Sequence, residues 1–198
     1  GSSSINGLLY VRGQKQDFDH WRQLGNSGWG WDDVLPYFKR AENWEGPADE
    51  VRGKGGPLNV SENSVTRDVI DAWSEAAIAA GYKRYTDYNG EDQEGVGMFQ
   101  MTMKNGQRCS AARAYLAPAR KRKNLEIITY AHTQGVIFDK RRAVAVRAKI
   151  NGIETVIKAR REIILSAGAI GSPQILMLSG IGEADKLTPH GITPIHEL

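Results

Sequence analysis

Two short stretches carry the residue types that a phosphate-bearing ligand requires. Gly1-Ser2-Ser3-Ser4 combines a small residue with three hydroxyls and closely spaced backbone N–H groups, the parts that hold a diphosphate. Further on, Gly168-Ala169-Ile170-Gly171-Ser172-Pro173 follows the apolar run 162–167 and is closed by Gly180-Ile181-Gly182. Glycine punctuation at a strand-to-helix junction serves a nucleotide site, and it also serves as the caps of an ordinary strand-turn-helix. Asn6-Gly7 has the same two readings, a plain turn or an amide side chain and backbone presented to a ligand.

Other reactive side chains are sparse. His20, His132, His190 and His196 sit in no proton-transfer motif, and no catalytic residue is assigned among them. The single Cys109 excludes an intramolecular disulfide and a multi-cysteine metal site; it reads as a packing thiol in a chain suited to a reducing compartment. No metal ligand set is assigned. The net charge of +3 gathers partly at Arg120-Lys121-Arg122-Lys123 and Lys158-Ala159-Arg160-Arg161. Neither cluster is interleaved with aromatic residues for base stacking, so both read as solvated faces and no nucleic-acid partner is expected.

The elements that must position these loops are mixed α and β. The 198 residues are 40% hydrophobic, enough for a packed core, without an apolar run of membrane-spanning length. Val34, Leu35, Phe38 and Ala41 recur at helical spacing over 31–43, with Asp32 and Asp33 in the first turn. Residues 44–56 read as a mobile surface loop before a short strand at 57–60. A helix over 66–80 carries a Val69, Ile70, Trp73, Ala76, Ala77 and Ala80 stripe that reads as core and stops at Gly81. A strand is predicted within 90–104, with Phe99 and Met101 lining a pocket. Ser110 is placed to cap a helix through Tyr115. Strands are predicted over 125–129, 134–139, 143–150 and 155–158, with Asn151-Gly152 as a hairpin turn. The run 162–167 reads as a strand buried on both faces, followed by a helix over 173–179 with Ser172 as N-cap and Gly180 as stop.

The order of residues adds a family resemblance. Gly168-Ala169-Ile170-Gly171-Ser172-Pro173-Gln174-Ile175-Leu176-Met177-Leu178-Ser179-Gly180-Ile181-Gly182 resembles the second signature of the glucose-methanol-choline (GMC) flavin-dependent alcohol oxidoreductases. Gly1-Ser2-Ser3-Ser4-Ile5-Asn6-Gly7-Leu8-Leu9-Tyr10-Val11-Arg12-Gly13 is similar to the first, entered one residue after its usual leading glycine. Between them, Asp19-His20-Trp21, Gly28-Trp29-Gly30-Trp31, Leu35-Pro36-Tyr37-Phe38 and Gly106-Gln107-Arg108-Cys109-Ser110 also resemble the family, so the likeness covers essentially the whole chain. Tyr10-Val11-Arg12-Gly13 and Glu94-Gly95-Val96-Gly97 look nearer to bacterial alcohol and choline dehydrogenases than to fungal sugar oxidases.

The resemblance implies an α/β fold: a partial FAD-binding Rossmann-like domain with part of an antiparallel-sheet substrate domain. Residues 1–43 and 108–198 would belong to the former, and 44–107 to the latter with its covering loop. FAD would bind noncovalently, because Ile5 stands where some relatives link a histidine to it. Gly1 and Ser2 would meet the pyrophosphate or ribityl chain, and Asn6, Gly7, Leu8 and Leu9 the isoalloxazine. Thr133, where the family often has valine, would offer its backbone to the adenine, and Ala167 and Gly168 would pack near the cofactor.

The implied reaction takes an alcohol, aliphatic or choline-like, to an aldehyde or ketone by hydride transfer to flavin, with electrons passing to a quinone, another acceptor or oxygen. The family's Gly-x-Gly-x-x-Gly turn does not occur in this sequence, and its proton-handling histidine region would lie beyond Leu198; the chain reads as an excerpt of a longer polypeptide, inactive alone. A cytoplasmic place, or a peripheral one at the inner membrane face, is expected, and membrane association is left open. The rival readings are a noncatalytic interaction module that kept the fold, and a nucleic-acid module with steeply salt-dependent binding.

Overall fold

The computed structural model describes residues 1–47, 49–90 and 93–198. They form two compact units, Gly1–Leu125 and Glu126–Leu198.

In the first unit, β1 (Leu9–Tyr10) leads into α1 (Lys15–Gln23) and α2 (Trp31–Ala41). Asp33 on the first turn of α2 accepts from the Gly30 N–H at 3.0 Å, and Lys39 and Arg40 fill its last turn, so both ends complement the helix dipole. Phe18 joins the two helices: its ring centre lies 5.4 Å from Trp21, 5.8 Å from Trp31 and 5.6 Å from Phe38. The helix predicted over 31–43 ends at Ala41, because Glu42 turns extended and begins β2 (Glu42–Trp44), which pairs in parallel with β3 (Leu58–Val60).

The segment between these strands is not the mobile surface loop predicted over 44–56. Arg52 and Gly53 are buried, and the Gly53 N–H donates to the Glu42 carboxylate at 2.7 Å. Residue 48 lies outside the described residues.

The next helix, α3 (Asp68–Ala79), forms as predicted, yet its apolar stripe is not core: Val69 is 71% and Trp73 65% exposed. A helical period shows which face can be buried, and a second surface must still arrive to bury it.

Of the strand predicted within 90–104, only β4 (Gln100–Met101) and β5 (Met103–Lys104) form; residues 91 and 92 lie outside the described residues. β4 pairs antiparallel with β1, while β5 makes a hairpin with β6 (Gln107–Arg108). A cavity of about 340 Å³ is lined in part by Phe99, as expected, whereas Met101 is outside its lining and faces Leu9 across the ladder. The predicted helix after Ser110 forms as a π-helical turn, Ala112–Leu116, that runs into α4 (Ala117–Ala119). The Ser110 hydroxyl accepts from Arg113 N–H at 3.3 Å.

In the second unit, β7 (Ala131–Asp139), β8 (Arg142–Ile150) and β9 (Ile153–Lys158) form an antiparallel meander. Asn151 (φ 49°) and Gly152 (φ 87°) make the tight turn between β8 and β9 that their dipeptide predicts. The strand predicted over 125–129 does not form, and neither does the buried strand over 162–167, where Ile164 is 76% exposed. A strand exists only with a hydrogen-bonded neighbour, and no strand among the described residues pairs with either run.

The helix predicted over 173–179 is α5 (Gly168–Leu178), longer at its N-terminus, so Pro173 is inside it and Ser172 is not its N-cap. The Ser172 hydroxyl instead accepts from the Ala167 N–H at 3.0 Å, tying the residue before the helix to its second turn. Gly180 stops the helix with φ 85°, and a Cβ there would lie 2.5 Å from the Thr193 carbonyl oxygen. Left-handed backbone and close approach both require glycine at that point. α6 (Ala184–Leu187) follows and buries Leu187.

Candidate functional site

Gly1, Ser2, Asn6, Gly7 and Leu8 lie on one loop of the first unit that contains a single 3-10 turn, Ser2–Ser4, and ends at Leu9, the first residue of β1. Gly1, Ser2, Asn6, Gly7 and Leu9 are exposed, and Cβ atoms built on Gly1 and Gly7 meet nothing within 4 Å. Ser4, Ile5 and Asn6 spend their N–H groups on the turn, at 3.0, 2.9 and 2.8 Å. The N–H groups of Ser2, Ser3 and Gly7 have no acceptor among the described residues.

The loop is held in place by residues far away in sequence. The Leu8 carbonyl accepts from Thr102 twice, from its N–H at 2.8 Å and its hydroxyl at 3.1 Å. Arg108 donates through Nη1 to the Ser3 carbonyl at 3.1 Å and to Asn6 Oδ1 at 2.7 Å. The Ala111 N–H reaches the Ser3 hydroxyl at 3.1 Å. Leu8 itself sits at φ 68°, a left-handed conformation that costs an L-residue with a bulky side chain about 1–2 kcal/mol. It persists because the Leu8 N–H reaches Asn6 Oδ1 at 3.1 Å while Thr102 fixes its carbonyl. Such a held outlier marks a segment whose geometry is specified.

Behind this loop lies a buried ion network that its motif does not announce. Glu42, at 0% exposure, receives Arg12 Nη2 at 2.6 Å and Arg52 Nη2 at 2.7 Å. Arg52 also donates to Asp87 at 2.6 Å, which accepts from the Gln100 side chain at 2.9 Å. Asn89 closes the circuit, donating to Gln100 at 2.6 Å and accepting from the Arg12 N–H at 2.7 Å. Two cations and two carboxylates balance, and the Arg52 guanidinium lies 4.0 Å from the Trp44 ring centre. Burial alone would lower the Arg52 pKa, but Glu42 and then Asp87 outweigh it and the net direction is upward. For Tyr10, whose hydroxyl accepts from Arg12 Nε at 3.1 Å, burial dominates and raises the phenol above its ordinary value. A cavity of about 350 Å³ borders this network at Arg12, Trp31, Val51 and Asn89.

The remaining sequence-predicted site residues belong to the second unit. Thr133 lies half-buried on β7, an edge strand, opposite Ala148. Ala167 and Gly168 are exposed at the start of α5, with Gly168 at φ 89°. No hydrogen bond joins Thr133 to either among the described residues. At the far end of α5, the Ser179 hydroxyl donates to the Ile175 carbonyl at 2.5 Å and accepts from the Val136 N–H of β7 at 2.7 Å. Cys109 is buried, its sulfur 3.4 Å from the Asn59 N–H, and serves packing. The four histidines are exposed, and no group of metal-ligating side chains occurs among the described residues.

Sequence reasoning missed Arg108, Thr102 and Ser3 as supports of the loop, and Glu42, Arg52, Asp87, Asn89 and Gln100 as its foundation. The available signal was a polar residue inside an otherwise family-like string, as with Arg12 and Arg108. Their partners lie 30 and 102 residues away, where no local periodicity reaches.

The model of the GMC oxidoreductase family matches residues 1–195. An oxygen-dependent choline dehydrogenase from Brucella ovis is 48% identical over 192 residues, which are 97% of this chain and 35% of that protein. One from Rhizobium johnstonii is 47% identical over the same shares. Among solved structures, pyridoxine 4-oxidase from Mesorbium loti superposes with a TM-score of 0.94 at 32% identity, covering 100% of this chain and 39% of that one. An FAD-dependent oxidoreductase from Chaetomium thermophilum gives 0.93 at 31%, covering 100% and 37%. The chain thus spans about a third of the length of the relatives it matches. With both signature loops in place and a family match from the first residue to the 195th, this chain belongs to the GMC oxidoreductases.

Proposed function

We propose that this chain is part of an FAD-dependent oxidoreductase that converts an aliphatic or choline-like alcohol to an aldehyde or ketone. The observation that carries the reading is the Gly1–Leu9 loop, whose uncommitted Ser2, Ser3 and Gly7 amides and exposed Asn6 amide are held by long-range bonds. This donor set fits a flavin dinucleotide: small residues admit close approach, backbone N–H groups suit the diphosphate, and a fixed side-chain amide suits the ring edge.

When bound, FAD supplies the hydride acceptor. Gly1 and Ser2 meet its pyrophosphate or ribityl chain, while Asn6, Gly7, Leu8 and Leu9 orient the isoalloxazine and favour the charge that develops there. Thr133 offers an edge-strand backbone to the adenine, and Ala167 and Gly168 leave room beside it. Ile5 carries no atom able to form a covalent link, which supports noncovalent binding. Residues 1–43 and 108–198 are assigned to the cofactor domain and 44–107 to the substrate domain. Electrons leave to a quinone, another acceptor or oxygen, and the location is cytoplasmic or peripheral at the inner membrane face; the described residues include no helix long and apolar enough to cross a membrane.

The test is an FAD titration followed by flavin fluorescence and visible absorbance, comparing the 198-residue polypeptide with one extended to the length of its relatives. Binding by the extended protein, with bleaching by choline or a simple alcohol, is the expected result. No binding by either would reduce the family match to ancestry and favour an interaction module.

A further inference from the structure

The Asn6 side chain has two ends, and only one is free. Its Oδ1 accepts from Arg108 Nη1 at 2.7 Å and from the Leu8 N–H at 3.1 Å, which uses both lone pairs of the amide carbonyl. A flipped amide would turn its NH2 onto the guanidinium and the Leu8 N–H, which carry donors and no acceptor. The orientation is therefore dictated, and Nδ2 is the end left exposed.

We propose that Arg108 is a positioning residue for the flavin: by binding Asn6 Oδ1 and the Ser3 carbonyl together, it presents Asn6 Nδ2 as a preset donor to the ring. This rests on the reading that the Gly1–Leu9 loop contacts the flavin. Arg108 is suited to the task because it stands on β6, hairpin partner of β5, and the residue just before β5 is Thr102, which grips the Leu8 carbonyl. The same short hairpin thus sets both the backbone and the side-chain orientation of the loop. A donor fixed before reduction favours the reduced ring without reorganisation at that moment.

The experiment measures the flavin reduction potential, by dye-linked titration, in the FAD-loaded full-length protein carrying this segment. The variants are Asn6→Ala, Arg108→Met, Arg108→Lys and the double variant Asn6→Ala/Arg108→Met. Asn6→Ala is expected to lower the ratio of reduced to oxidised flavin at a fixed potential by about threefold to tenfold, the worth of one hydrogen bond. Arg108→Met should shift it in the same direction, Arg108→Lys should restore part of the loss, and the double variant should match Asn6→Ala alone.

Additive shifts would mean that Arg108 acts by its charge and not through Asn6, and a wild-type potential in Arg108→Met would mean that it does not act at all; either overturns the proposal. If Arg108→Met does not fold, Arg108→Lys replaces it in the same cycle with the same criterion. An unchanged potential and absorbance envelope in Asn6→Ala alone would overturn the flavin reading of the loop, and the proposal with it.

Discussion

At the scale of single residues, one carboxylate carries an unusual share of the first unit. Glu42 is the common acceptor of Arg12, Arg52 and the Gly53 N–H. Removing one partner of a buried ion cluster leaves uncompensated charge behind, so Glu42→Gln is expected to destabilise by about 3–5 kcal/mol in urea unfolding. Tyr10, packed beside the same cluster, gives a pH signature. Its folded pKa is raised by burial above the ordinary 10.0, so its contribution is full below that value. As pH rises past it the unfolded chain ionises first, and stability is lost up to the folded value. Tyr10→Phe should therefore show a shallower fall in the unfolding midpoint above pH ~10 than the parent protein, with Tyr115, raised by burial too, retaining its own share.

At the scale of elements, local chemistry was readable and partnership was not. The turn at Asn151-Gly152, the stop at Gly180 and the acidic start of α2 are decided within a few residues, and the sequence states them. The strand expected over 162–167 fails because its residues prefer extended backbone but have no neighbour to pair with. The stripe of α3 is apolar and exposed for the same reason, and Glu42 leaves a good helical pattern to meet two arginines. In the candidate site, the glycine, serine and asparagine of the loop stand out in the sequence and are exposed together in the structure, whereas its long-range clamps were not legible. Ser179 shows the missing kind of information: as a helix-end residue it is unremarkable, yet it joins α5 to β7. Ser179→Ala strands the buried Val136 N–H and should cost about 1–3 kcal/mol, measured as a lowered thermal midpoint. A silent Ser179→Ala would show that the Val136 amide finds another acceptor.

At the scale of the molecule, both units expose large apolar side chains: Val69, Trp73, Ile164 and Ile170 are 71%, 65%, 76% and 85% exposed. Exposed apolar surface of this kind marks contact faces. The 198-residue polypeptide alone should bind an apolar dye more strongly per mole than the same segment within a protein of its relatives' length. Equal dye fluorescence would mean that these side chains stay in water in both. The ion network has the opposite relation to solvent. With the Arg12, Arg52 and Glu42 side chains at 0–1% exposure, dissolved salt cannot enter between them. Raising ionic strength should erase what the exposed Lys186–Glu183 pair contributes and leave the Glu42 contribution intact. The loop proposed to meet the cofactor would then stand on an electrostatic footing that does not follow the changing ion content of a cell.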